Sequence, residues 1–150
     1  VEAPAVLASS AAVEREKLAS VAPEGMATIT FLITLNIQPG ADPAKIREIL
    51  PRLAAGVAAK PGAQFYQSYQ KRPDQIEFIE TFQDSAAALY HLQHQDMDLV
   101  AQWYSQIALE SIAIVGPASD TLRAELAKYP MTNAPQYMDG LSGFPPQPTT

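Results

Sequence analysis

Two kinds of side chain able to move protons at neutral pH stand close together in the middle of this chain: an acid, Glu80, and two histidines, His91 and His94. Glu80 lies in the alternating run Gln75–Phe82, where Ile76, Phe78, Glu80 and Phe82 share one face. A carboxylate on an apolar face loses hydration, which disfavours its charged form and lets it exchange protons near neutrality. The alternative for Glu80 is structural: a strand-end carboxylate paired with a nearby Arg, Lys or backbone amide. His91 follows eleven residues later, across one strand-to-helix turn, so its imidazole can reach the same end of a sheet. Free imidazole titrates at about 6.5, which suits a general base for a phenolic proton. His94, one helical step further on, is a second option. Either ring can equally be a surface or half-buried helix histidine. Two histidines three residues apart with no firm third ligand do not make a metal site, so no metal is expected.

Aromatic residues surround these groups in sequence. Phe31, Tyr66, Tyr69, Phe82, Trp103 and Tyr104 can line a pocket between helices and sheet, or pack a core at the same spacing. Tyr66, Phe82, Trp103, Tyr104 and His94 are the expected substrate contacts. Asn36, at the end of the first strand, offers a hydrogen bond to a substrate oxygen or a turn-forming role. No glycine-rich nucleotide fingerprint and no serine-elbow motif occurs, which fits a protein that needs no bound cofactor.

The elements that must position these residues follow from periodicity. Residues 28–37 alternate, with Ile29, Phe31, Ile33, Leu35 and Ile37 on one face, and end at Pro39-Gly40. Asp42-Pro43 opens a helix through Ile46, Ile49, Leu50, Leu53 and Val57, in which Pro51 predicts a kink or break. Residues 64–70 and 75–82 read as a hairpin about Arg72-Pro73-Asp74. Asp84 or Ser85 caps a helix reaching about residue 106, with a break expected near residues 93–96. Residues 107–115 form a fourth strand. Ser119 or Asp120 caps one more helix, with Leu122 and Leu126 inward, stopped by Pro130. The tail, residues 131–150, is expected to be irregular, anchored by Tyr137, Met138, Leu141 and Phe144.

The order β-α-β-β-α-β predicts an α+β, ferredoxin-like split arrangement: a four-stranded antiparallel sheet with both helices on one face. Three segments are expected: an arm over 1–25, the ferredoxin-like domain over 26–116, and a C-terminal helix and tail over 117–150. A short helix around residues 11–19 is the only element expected in the arm. Val1 stands where a methionine would start the chain, so upstream processing is expected, and Met26 is an alternative start. The uncovered sheet face is semi-apolar, with Leu32 among threonines and Phe65 and Tyr69 opposite Tyr66, which predicts a homodimer.

Composition narrows the partners. The 150 residues are 47% hydrophobic and carry a net charge of −6, so counterion release on nucleic acid offers nothing and nucleic acid is not expected. No apolar run is long enough for a membrane span, and no basic amphipathic helix suits a membrane surface. With no cysteine, disulfides and thiolate chemistry are excluded, and cytoplasm is the default compartment.

Glu80-Thr81-Phe82, then Ala87 and Ala88, then His91 resembles the E-x-W-x-s-x-x-A-x-x-x-H signature of the antibiotic biosynthesis monooxygenase family. The resemblance covers about residues 27–115. Gly116-Pro117-Ala118-Ser119-Asp120 and the late Gly143-Phe144 resemble the extension of one branch. Phe82 stands where the family's Trp is usual, which points away from its haem-degrading relatives. The resemblance implies a dimeric α/β barrel and a cofactor-independent monooxygenase acting with dioxygen on a phenolic, quinol or polycyclic aromatic substrate. His91 would be the base, poised by Glu80. The alternatives are a non-catalytic dimer that binds a small apolar ligand or serves a stress-related role, and a cyclase or isomerase using the same base without oxygen.

Overall fold

The computed structural model describes residues 27–139. They form β1 (Ile29–Ile37), α1 (Pro43–Ala58), β2 (Ala63–Arg72), β3 (Gln75–Phe82), α2 (Ser85–Gln93), α3 (Met97–Tyr104), β4 (Ile107–Val115), α4 (Asp120–Leu126) and β5 (Gln136–Met138). The strands make one open sheet in the order β2-β3-β1-β4-β5, antiparallel except for β5, which runs parallel to β4. This is the α+β, ferredoxin-like order expected, with one strand added at the edge. The arm over 1–25, its short helix, and Leu141 and Phe144 lie outside the described residues.

Each helix starts where the sequence supplies a cap. Asp42 accepts from Ala44 N, Asp84 from Ala87 N, Asp96 from Asp98 N and Leu99 N, and Ser119 from Leu122 N. The break expected near residues 93–96 divides the segment after β3 into α2 and α3, because His94 leaves helical geometry and Asp96 caps a fresh start. Pro51 neither breaks nor ends α1, which runs on to Ala58. Pro51 is exposed, so the carbonyl it leaves without an amide partner faces water. The tail is not wholly irregular. Residues 136–138 pair with residues 113–115 of β4, and Arg123 on α4 lies over the Tyr137 ring at 3.8 Å.

One face of the sheet meets all four helices in a single core, with Ile29, Phe31 and Phe82 from the sheet and Ile49, Leu122 and Leu126 from the helices essentially inaccessible. Strand β4 stays on that face only by changing phase. Thr34 pairs with Ser111 but Leu35 with Leu109, so Glu110 is the extra residue of a bulge. Ile107 and Leu109 point inward before it, and Ile112 and Ile114 after it. Among the described residues no helix is long and apolar enough to cross a membrane.

Gly62 ties the end of α1 to the start of α2. Its φ of +78° is one that L side chains avoid, and a Cβ there would lie 2.5 Å from Ala87 Cβ. Its carbonyl accepts from Gln83 N at 2.8 Å. The loop after α1 is thereby pressed onto α2, which carries Lys60 toward His91.

Candidate active site

On β3 the inward row Ile76, Phe78, Glu80, Phe82 places a carboxylate among apolar side chains, and Glu80 is only 5% exposed. Helix α2 comes down on the sheet through Ala87 and Ala88, whose small side chains allow a close approach. One turn later His91 is 4% exposed, its ring stacked on Phe82 with centroids 5.0 Å apart and planes at 25°. Its Nε2 stands 3.5 Å from Glu80 Oε2. That contact lacks hydrogen-bond geometry, for Oε2 has no hydrogen-bond partner among the described residues.

The other ring nitrogen of His91, Nδ1, lies 3.1 Å from Lys60 Nζ. An ammonium group only donates, so Nδ1 accepts, and the proton of a neutral imidazole is assigned to Nε2, facing Glu80. Burial holds the Lys60 amine below the usual lysine range, an effect that the charge of Glu80 partly offsets.

Tyr66 on β2 is the direct cross-strand partner of Glu80, and its buried hydroxyl also has no partner among the described residues. Burial first, then the Glu80 charge, pushes the Tyr66 phenol above the usual tyrosine range. The same causes raise Tyr104. Tyr129 is pushed up to about 12 by burial, with Tyr104, Glu125 and Glu80 adding to it. All three phenols therefore remain protonated, and able to donate, at neutral pH.

These groups meet at a cavity of about 110 Å³ between sheet and helices. Glu80, His91, Tyr66, Trp103, Tyr104 and Phe31 all line it, as do Lys60, Arg52, Gln95 and Tyr129. Trp103 stacks on Phe78 at 5.6 Å and 14°, and Tyr66 tilts against Phe78 at 5.4 Å, so one wall is a continuous aromatic surface. An apolar cavity of ~150 Å³ accommodates benzene, so the scale here is that of one small ring.

Three of the expected contacts lie elsewhere. His94 closes α2 on the outside, stacked on Tyr90 at 3.8 Å with Nδ1 2.9 Å from Tyr90 O; as the C-cap it has left the helical path that aims His91 inward. Asn36 is on the opposite sheet face, donating to Glu110 Oε1 at 3.4 Å and accepting from Gln75 Nε2 at 3.0 Å. Phe82 is fully buried between Phe31 and His91, so it supports the imidazole and does not line the cavity. Tyr69 is on the outer face, 45% exposed.

Sequence reasoning missed Lys60, which read as part of a helix stop. It lies two residues past the end of α1, where helical spacing no longer applies, so no local signal pointed to it. Among the described residues no group of three His, Asp or Glu side chains is placed to hold a metal ion.

No family model matches the chain, and no curated protein matches it in sequence. Its likeness to solved structures is in fold. It matches MupZ from Pseudomonas fluorescens with a TM-score of 0.60 at 18% identity, over 79% of this chain and 94% of that one. It matches SnoaB, a cofactor-independent oxygenase from Streptomyces nogalater, with a TM-score of 0.54 at 17% identity, over 62% of this chain and 95% of that one. A conserved protein of unknown function from Bacteroides thetaiotaomicron matches with a TM-score of 0.52 at 15% identity, over 59% and 96% of the two chains. At such identities the likeness carries the fold and leaves the chemistry to the site. The fold shared with MupZ and SnoaB agrees with the α+β, ferredoxin-like order expected from the sequence.

Proposed function

We propose that the chain is a cofactor-independent monooxygenase acting on an electron-rich phenolic or quinol-type ring. The observation that carries this reading is the buried Glu80–His91 pair facing an aromatic cavity, with a carboxylate oxygen left open to a ligand. The fold likeness to SnoaB, itself a cofactor-independent oxygenase, supports the reaction class.

The cavity orients the ring and keeps water from it. The hydroxyl proton passes to the Glu80–His91 couple while one electron passes from the ring to dioxygen. The ring radical and superoxide then combine through a new C–O bond as a peroxide anion, which takes the proton back from the couple and becomes a hydroperoxide on carbon. Loss of water leaves a carbonyl, so that the O–H and C–H hydrogens depart with one oxygen atom and the other remains in the product. A single ring matches the cavity's volume.

We also propose that the active form is a homodimer joined through the outer sheet face, where Phe65 and Tyr69 are each 45% exposed and Leu32 and Ile79 are half-buried. Sedimentation should show a dimer that Tyr69→Glu dissociates; a monomer at all concentrations removes this assembly.

Oxygen uptake over a panel of quinols and anthrones, with no cofactor added, tests the reaction. Uptake with at least one compound is expected. Ligand binding without uptake from any of them identifies a non-catalytic binding protein instead.

A further inference from the structure

The two buried side-chain atoms that lack a hydrogen-bond partner among the described residues, Glu80 Oε2 and Tyr66 Oη, belong to one directly opposed pair on β3 and β2. Opposed residues of an antiparallel pair hold their Cβ atoms about 5 Å apart on one face. Both side chains line the cavity. Unmade hydrogen bonds on buried groups are costly, so a ligand that completes both is strongly selected.

The chemistry of the two atoms specifies that ligand. A carboxylate oxygen accepts only, and a protonated phenol in this setting donates. A carbonyl would satisfy Tyr66 and leave Glu80 unpaired. An ammonium would do the reverse, and an anion is repelled by the carboxylate. A hydroxyl satisfies both at once, and the Phe78–Trp103 wall favours one carried on an aromatic ring. His91 has no lone pair free for this task, because Nδ1 is taken by Lys60 at 3.1 Å and the Nε2 proton faces Glu80.

We propose that the hydroxyl of an aromatic ligand sits between Glu80 Oε2 and Tyr66 Oη, donating to the first and accepting from the second, so that Glu80 and not His91 takes the substrate proton. The seat itself needs no reaction. The proton step rests on the oxygenase reading above: the O–H bond breaks as an electron leaves for dioxygen, and the proton goes to Oε2. Lys60 and His91 are positioning residues: Lys60 holds the ring through Nδ1, and the ring presents its Nε2–H edge to the carboxylate.

Titration calorimetry of the full chain with phenol, anisole and toluene tests the seat. Anisole keeps the acceptor and loses the donor; toluene has neither. Phenol should bind about tenfold more tightly than either, the effect of one charge-assisted hydrogen bond. Tyr66→Phe should narrow the phenol-to-toluene ratio several-fold with toluene affinity unchanged. Glu80→Gln, which replaces the charged acceptor by a neutral amide oxygen, should narrow the preference for phenol over anisole several-fold; should it fail to fold, the isosteric Tyr66→Phe still decides. Equal affinity for phenol and toluene in the unaltered protein, an unchanged ratio in Tyr66→Phe, or no binding of any of the three overturns the proposal. A preference for phenol without oxygen uptake would leave the seat standing and remove the oxygenase function.

Discussion

Each face of the sheet buries polar residues, and they are treated differently. On the outer face Thr34 and Gln75 are 8% and 2% exposed; on the inner face Glu80 and His91 are 5% and 4% exposed. The outer groups are hydrogen-bonded to one another. Thr34 Oγ1 donates to Glu77 Oε2 at 2.9 Å, and Gln75 Nε2 donates to Asn36 Oδ1 at 3.0 Å and Glu110 Oε2 at 3.3 Å. The inner groups are not, since Glu80 Oε2 and Tyr66 Oη remain open beside a cavity. A completed network fixes register and twist. An incomplete one, held rigid by stacking on Phe82 and by Lys60, is prepared for something that is not part of the chain.

Substitutions on the two faces should separate along this line. The largest effect is expected from His91→Ala, which removes the ring that positions the Glu80 carboxylate and should lower oxygen uptake about a hundredfold. It also leaves Glu80 buried beside no imidazole, at a cost of roughly 3 kcal/mol in stability. His91→Gln distinguishes the two losses, keeping most of the stability and little of the turnover, as paired unfolding and uptake assays would show. Unchanged uptake in either variant would remove the histidine from the reaction. Lys60→Met should come next, loosening the His91 ring and lowering uptake about tenfold with the secondary structure by circular dichroism intact.

A pH effect of intermediate size belongs to the inner face alone. The Tyr66 phenol is raised above its value in the unfolded chain, so the stability it contributes is fully present below pH ~10 and is lost as pH rises toward its folded value. Urea unfolding at a series of alkaline pH values should therefore show falling stability. Tyr66→Phe should flatten that fall by up to about 1.4 kcal/mol per pH unit. An identical slope in the two proteins would contradict the burial of this hydroxyl. The smallest effects are expected outside. Thr34→Val and Asn36→Ala should each cost about 1 kcal/mol of stability and leave oxygen uptake as it was. A loss of uptake from either would break the distinction between the faces.

Much of this contrast was legible in the chain. Alternation along β3 placed Glu80 with Ile76, Phe78 and Phe82, and the step from Asp84 to His91 put the imidazole over the same face, because both depend on periods of two and 3.6 that local sequence enforces. The cavity-facing Tyr66, Trp103 and Tyr104 followed from the same periods. Lys60 did not, since its approach to His91 depends on Gly62 packing onto Ala87, a contact between elements distant in sequence. Nor did the Glu110 bulge, which no glycine or proline announces and which shifts the phase of β4 by one residue. His94 misled because helical spacing was extended one residue past the end of α2. Asn36 misled because strand-end position was weighed above its face, which alternation assigns to the outside.

Histidine ring-nitrogen NMR on the full chain during titration with phenol tests the central claim most directly, because one histidine lies on each side of the argument. The account predicts that the His91 resonances move as phenol binds, while those of His94, stacked on Tyr90 at the surface, stay in place. Movement of His94 alone, or of neither ring while phenol is bound, would contradict it.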